Sequence, residues 1–245
     1  MKYVDLYDLR ARVLPALLCV LPIPLVLWCF YGEQATWWST GSTIAVSFGF
    51  VFLLSRVSRE AGKRLQGRLF QAWGGPPTTQ LLRHRDDRID RHTKAILHAR
   101  LSQLCGVAFP TASDEAGDPR DADEAYRAGV RWLLEHTRDT SKYALLFKEN
   151  TNFGFQRNAL GLKWIGVAIA LASAFALLVK IGVVNAISPY VHAAQWSALT
   201  PAMAFSLLLC GILLTIWLFS ITPAAAQRTA FAYADRLIAA TSTFE

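Results

Sequence analysis

The sequence predicts an all-α integral membrane protein in which four transmembrane helices, two before and two after (2 + 2), flank a helical cytoplasmic domain. Three observations predict it. Of the 245 residues, 53% are hydrophobic and only 18% charged, with mean hydropathy +0.28. The apolar residues are concentrated in four blocks, at about residues 13–31, 37–55, 164–187 and 198–221, each close to the ~20 residues that cross a ~30 Å hydrocarbon core. One long polar stretch, 56–163, separates the second block from the third and is long enough for a small domain. The chain therefore divides into an N-terminal hairpin (1–55), a basic helical domain (56–163), a C-terminal hairpin (164–221) and a cytoplasmic tail (222–245). A purely soluble globular protein is excluded.

The first block follows Lys2, Arg10 and Arg12, as a signal peptide would. It leads into Gly32-Glu33-Gln34 and bulky Trp37-Trp38, not a small-residue cleavage site, so it is read as a retained span. Pro15, Pro22 and Pro24 remove backbone donors within it, which implies a kink or local opening where neighbouring helices or water satisfy the freed carbonyls. Arg56 to Trp73 continues the second span as a helix, with Arg59, Lys63, Arg64 and Arg68 interleaved with Leu65, Leu69 and Phe70. Gly74-Gly75-Pro76-Pro77 breaks it, and Thr78 or Thr79 is the candidate cap of the next turn. A helix is expected from Asp87 to Leu104, ended by Gly106, then a loop over 107–121 and a helix from Ala122 to Thr137 with Tyr126, Val130, Leu133 and Leu134 on one side. The third span carries two small-residue ridges, Gly166/Ala170/Ala174 and Ala168/Ala172/Ala176. Lys180 is the one formal charge well inside a span, which makes it a pore candidate, or a side chain that snorkels to the interface.

Basic residues set the orientation. The connections 32–36 and 188–197 contain no Lys or Arg, whereas 19 of the 25 lie in 56–163 and Lys2, Arg10, Arg12, Arg228 and Arg236 flank the opposite ends of the spans. The positive-inside rule then puts both termini and the middle domain of a multi-pass membrane protein in the cytoplasm, with two short hairpins outside. Trp28, Tyr31, Trp37, Trp38, Tyr190 and Trp196 form the expected outer aromatic belt, and Trp164, Trp217 and Phe219 lie near the inner interface.

Charge within the middle domain is divided. From Arg56 to Arg100 there are eleven Lys or Arg against four acids, and residues 107–149 hold six basic and nine acidic residues. Arg83, His84, Arg85, Arg88, Arg91, His92 and Lys94 are crowded together, and on a helix Arg88, Arg91 and Lys94 would share a face. Such a face suits phosphates or anionic lipid. Enzyme chemistry finds no motif: there is no phosphate-binding Gly loop, His-Glu-x-x-His or nucleophile elbow. No metal site or cofactor is expected either, because three of the four cysteines fall inside spans and the carboxylates Asp86, Asp87 and Asp90 lie among arginines that repel cations.

The stretch Trp73-Gly74-Gly75-Pro76-Pro77-Thr78-Thr79-Gln80-Leu81-Leu82-Arg83-His84-Arg85, with Asn152-Phe153-Gly154-Phe155-Gln156-Arg157-Asn158 and Gly161-Leu162-Lys163, resembles bacterial antiphage membrane effectors encoded beside nucleotidyltransferases, the Hailong effector in particular. The resemblance implies a homotetrameric ion channel held shut by single-stranded DNA oligomers on a basic ring and opened when they are degraded. The associated nucleotidyltransferase would be the source of the ligand. On that reading Arg83, His84, Arg85, Arg88 and Arg91 are the first choices for phosphate contacts, with Arg59, Lys63 and Arg157 second. Two alternatives stay open: a channel that a nucleotide opens, and a non-conducting anchor that holds anionic lipid and a partner protein.

Overall fold

A computed structural model of the chain describes residues 6–183 and 199–244. Among these residues all regular structure is helical, and four helices are long and apolar enough to cross a membrane. Lys2, Tyr190, Trp196 and the ends of the third and fourth apolar blocks that meet at the 188–197 connection lie outside the described residues. The chain separates into two compact units, Met1–Leu65 with Gly154–Ala225, and Gln66–Phe153 with Ala226–Glu245.

The first unit is built on α1 (Leu6–Gln34), the apolar part of α2 (Trp37–Ala72), α7 (Ala144–Lys180) and α8 (Pro201–Ser220). At ~1.5 Å per residue, α2 and α7 run for roughly 55 Å each, far beyond a hydrocarbon core. In α1 the turn Leu9–Val13 is π-helical, the Leu14 N–H reaching back to the Leu9 carbonyl. Pro15, just beyond, has no N–H to offer the Ala11 carbonyl. Asn158 of α7 supplies that donor, its Nδ2 lying 2.7 Å from the Ala11 oxygen. A helix interior with proline is tolerated here because a neighbouring helix repairs the ladder.

Glycines let α2 and α7 approach backbone to backbone. A Cβ on Gly161 would lie 2.8 Å from the Gly62 nitrogen, and one on Gly62 would lie 2.4 Å from Asn158 Oδ1. Gly166 makes room for the Trp217 indole, which would sit 2.3 Å from a Cβ there. Trp217 is 1% exposed and packs among Ala16, Leu162, Val167 and Leu213. It is a core residue, and the expectation of an interfacial anchor is corrected: an indole seated on a glycine is withdrawn from the interface. Trp164 and Phe219 remain exposed. Of the two small-residue ridges on α7, Gly166 and Ala170 are buried within the chain while Ala168 and Ala172 face outward.

Lysines close two helix ends. Lys163 Nζ donates to the Leu218 and Ile221 carbonyls at 3.1 and 2.9 Å, where α8 finishes in a π-helical turn, Ile216–Ser220. Lys180 is the last residue of α7, which stops where Gly182 takes φ +78° and the Val183 N–H returns to the Leu178 carbonyl. Among the described residues the helix ends at Lys180, and residues 184–187 of the expected span lie outside them. Lys180 is exposed, donates to the Cys29 and Phe30 carbonyls at the end of α1, and lies 4.7 Å from the Phe30 ring centre. It caps a helix terminus, where a cation is favoured; it is not a charge in the middle of a span.

The second unit begins at Gln66, in the last two turns of α2. Gly74 (φ +86°) and Gly75 (φ +128°) close the helix, the Gly75 N–H returning to the Phe70 carbonyl. Then come α3 (Pro77–Leu82), α4 (Arg91–Cys105), α5 (Ala112–Gly117), α6 (Pro119–His136) and α9 (Pro223–Ala239). The cap of α3 is Pro76 with Pro77 in the first turn, not Thr78 or Thr79. The helix expected from Asp87 begins at Arg91, because the Asp90 carboxylate accepts from the His92 and Thr93 N–H groups. The expected loop 107–121 contains α5, started by a Thr111/Asp114 capping box, and the start of α6, capped by Asp118. Leu82, Leu101, Tyr126, Leu133, Ala234, Leu237 and Ile238 form one buried core, so the C-terminal segment is part of this unit's interior.

Candidate functional site

Residues 83–90 are not helical, and two buried charges fix them. Lys94 of α4, 3% exposed, turns its ammonium to the Arg83 carbonyl (2.6 Å) and the Asp86 carbonyl. Glu115 of α5, 2% exposed, accepts from the His84 N–H at 2.7 Å, the Arg85 N–H at 3.4 Å and the Tyr126 hydroxyl at 2.7 Å. A cation below and an anion beside the loop take up its carbonyls and its N–H groups in turn. His98 completes the seat: its Nε2 donates to the Leu82 carbonyl at 2.6 Å, and its ring meets those of His84, Phe109 and Tyr126.

The sequence-selected residues fall into different roles on this frame. Arg83 is structural, forking onto Asp123 at 2.8 and 2.7 Å and donating to the Gly74 carbonyl. The hydrogen-bonded Asp123 carboxylate raises its pKa, against the effect of burial. His84 donates through Nε2 to the Pro110 carbonyl at 3.0 Å. Arg85 and Arg88 are about half exposed; Arg85 stands 3.8 Å from Glu115, and Arg88 pairs with Asp86 at 2.5 Å and covers the Phe231 ring at 4.0 Å. Arg91 is exposed at the start of α4, whereas Lys94 is turned inward. The face expected for Arg88, Arg91 and Lys94 does not exist, since the helix starts after Arg88 and Lys94 is buried. What the loop presents outward is Arg85, Arg88 and Arg91.

Arg59, Lys63 and Arg157 belong to the first unit, on α2 and α7. Arg59 and Lys63 are exposed, and Arg157 is partly buried, with its Nε donating to Asn158 Oδ1 at 3.1 Å and its side chain hydrogen-bonded to Tyr7. Arg12 and Arg59 lie within electrostatic reach of it. Sequence reasoning passed over Lys94 as a loop support, and also Glu115, Tyr7, Arg12 and Asn158. Only Glu115 had a local signal, the Thr-x-x-Asp capping box that places it on a first helical turn.

The frame is pH-sensitive. Burial pushes the His98 imidazole below its ordinary 6.5, against the opposing hydrogen bond to Leu82. Burial pushes Glu115 up, but the His84 N–H, the Tyr126 hydroxyl and the Arg85 N–H outweigh it and leave the carboxyl below its ordinary 4.5. Burial lowers the Lys94 pKa, with Asp86, Glu115 and Asp87 opposing. Below the ordinary value of His98, the unfolded chain takes up a proton that the folded unit resists, so stability is complete above 6.5 and declines as pH falls below it. Glu115 adds to the loss as pH falls through its folded value. Thermal unfolding of the full chain in detergent should therefore show a midpoint that drops from about pH 6.5 downward. His98→Gln should flatten the first part of the drop; an unchanged profile would remove His98 from this account.

No protein-family model, no curated protein and no solved structure matches this chain.

Proposed function

We propose that the protein is the subunit of an oligomeric ion channel of bacterial antiphage defence, held closed by single-stranded DNA oligomers and opened when they are degraded. The observation that carries the reading is the pinned loop 83–90, which holds Arg85 and Arg88, with Arg91 beside it, in an outward arrangement fixed before any ligand arrives. Preorganised guanidiniums suit phosphodiesters, and a symmetric assembly repeats them once per subunit, concentrating positive potential. The segregation of 19 of 25 basic residues into 56–163 supports two external hairpins and cytoplasmic termini in the inner membrane. Subunit contact is assigned to α2, since only 6% of its apolar window is buried within the chain, against 28% in each of the other three helices. A tetramer, and a nucleotidyltransferase that makes the oligomer, complete the proposal.

Ion flux through liposomes containing the protein tests it. Short single-stranded DNA should suppress flux and exonuclease should restore it. The double variant Arg85→Glu/Arg88→Glu should bind the oligomer at least about tenfold more weakly, with a shallower salt dependence, and should leak constitutively. Unchanged binding in that variant would remove the loop from the proposal. Absence of flux in every condition would leave a membrane anchor, and flux only with ligand present would reverse the sign of gating.

A further inference from the structure

A second basic cluster lies within the first unit. Tyr7 and Arg12 come from α1, Arg59 from α2 and Arg157 from α7. Gly154 creates its seat: a Cβ there would stand 2.7 Å from the Tyr7 hydroxyl and 3.0 Å from the Ala11 Cβ. The Tyr7 side chain is hydrogen-bonded to Arg157, and the Arg12 guanidinium lies 5.5 Å from the Tyr7 ring centre. A Cβ on Gly62, one turn beyond Arg59, would lie 3.2 Å from the Arg157 carbonyl oxygen, so α2 brings Arg59 to the same level, and Arg12 and Arg59 both act electrostatically on Arg157. Asp8 pairs with Arg12, its carboxylate 2.5 Å from Arg12 Nη1. Arg12 Nε is buried and has no hydrogen-bond partner. Three guanidiniums beside one paired carboxylate, with one buried donor unmet, leave positive charge that a further anion can neutralise.

The position on the chain indicates which anion. Arg12 immediately precedes the apolar block 13–31, Arg59 follows 37–55 by one helical turn, and Arg157 precedes 164–187 by two. All three therefore fall where apolar helix gives way to polar helix, the level at which a bilayer presents its phosphates. Exposed Leu9, Leu14 and Val57 adjoin Arg12 and Arg59 in sequence, as a lipid-facing surface requires. We infer that Tyr7, Arg12, Arg59 and Arg157 form a phosphate site for the headgroup of an anionic phospholipid. It is separate from the loop 83–90 and does not depend on the channel reading. Arg59 and Arg12 contact the phosphate, and Arg157, fixed by Tyr7 and Asn158, supplies charge from behind.

Native mass spectrometry of the full-length protein in detergent, with phosphatidylglycerol or phosphatidylcholine added, tests this. Wild type should retain phosphatidylglycerol in preference. Arg59→Gln should weaken that retention about fivefold and Arg12→Gln/Arg59→Gln further, while Arg85→Gln leaves it unchanged. Arg59 is exposed, so its variant should keep the wild-type unfolding midpoint without lipid. Equal retention of the two lipids, or unaltered phosphatidylglycerol affinity in the double variant, would overturn the site. Displacement of the lipid by short single-stranded DNA would give the cluster to nucleic acid, and equal thermal protection by inorganic phosphate would give it to a free ion; either result overturns the lipid assignment.

Discussion

Glu115→Ala is expected to destabilise the second unit by about 4 kcal/mol, because breaking a buried, hydrogen-bonded charge site typically costs about 3–5. The carboxylate accepts from two consecutive backbone N–H groups, of His84 and Arg85, and from a tyrosine hydroxyl that is itself fully buried. Truncation leaves those three donors without their acceptor and the Arg85 guanidinium without its nearby carboxylate. Glu115→Gln should lose roughly half as much, since an amide oxygen still accepts while its NH2 group meets a donor. Chemical denaturation followed at Trp132 gives the magnitude, and hydrogen exchange should show His84 and Arg85 losing protection first. The functional consequence separates this residue from the ones it positions. On the proposed function, Arg85→Gln should weaken oligonucleotide binding with a far smaller loss of stability, whereas Glu115→Ala should reduce both strongly. A loss below about 1 kcal/mol would mean that the loop keeps its shape without this anion.

The helical class and the apolar blocks were legible because both rest on composition and period, which act locally. The break at Gly74-Gly75-Pro76-Pro77 and the stop at Gly106 were legible for the same reason: a positive φ at glycine is a property of one residue. The start of α4 was misplaced by four residues because Asp87 and Asp90 are both competent cap residue types, and the structure uses Asp90 while Lys94 and Glu115 hold the preceding residues in a loop. Lys94 was placed on one ligand-binding face with Arg88 and Arg91 because nothing in a sequence distinguishes an exposed lysine from one whose ammonium is consumed by two carbonyls of a loop eleven and eight residues back. Arg83 was chosen for ligand contact from its place in the basic cluster and the resemblance, while its partner Asp123 is 40 positions away. Trp217 shows the same limit in an apolar setting, since its burial depends on Gly166 of another helix. The arginines that converge at Tyr7 were scattered across three apolar-block boundaries, and their meeting is a property of packing.

That packing turns on one side chain, and Asn158→Leu is expected to cost the first unit about 3 kcal/mol, the sum of two buried hydrogen bonds left unmade. Asn158 is fully buried and connects three helices: its Nδ2 serves the Ala11 carbonyl of α1, its Oδ1 accepts from Arg157 Nε, and its own carbonyl accepts from Ser58 Oγ of α2. Leucine keeps the last of these and loses the first two. The Ala11 carbonyl is exposed to this loss because Pro15 lacks the N–H that would otherwise reach it. The cost should therefore depend on residue 15. In a Pro15→Ala background the backbone N–H returns, the π-helical turn Leu9–Val13 can relax toward α-helix, and Asn158→Leu should cost about 1–2 kcal/mol less than in wild type. Thermal unfolding of the four proteins of this cycle in detergent measures the coupling directly. An equal cost in both backgrounds would show that the Ala11 carbonyl finds another donor, and Asn158 would then act through Arg157 alone. A positive coupling would mean that a proline in the first span and an asparagine of α7 are two halves of one joint, and that the place where α1 is least regular is also where the arginines of α1 and α7 are held together.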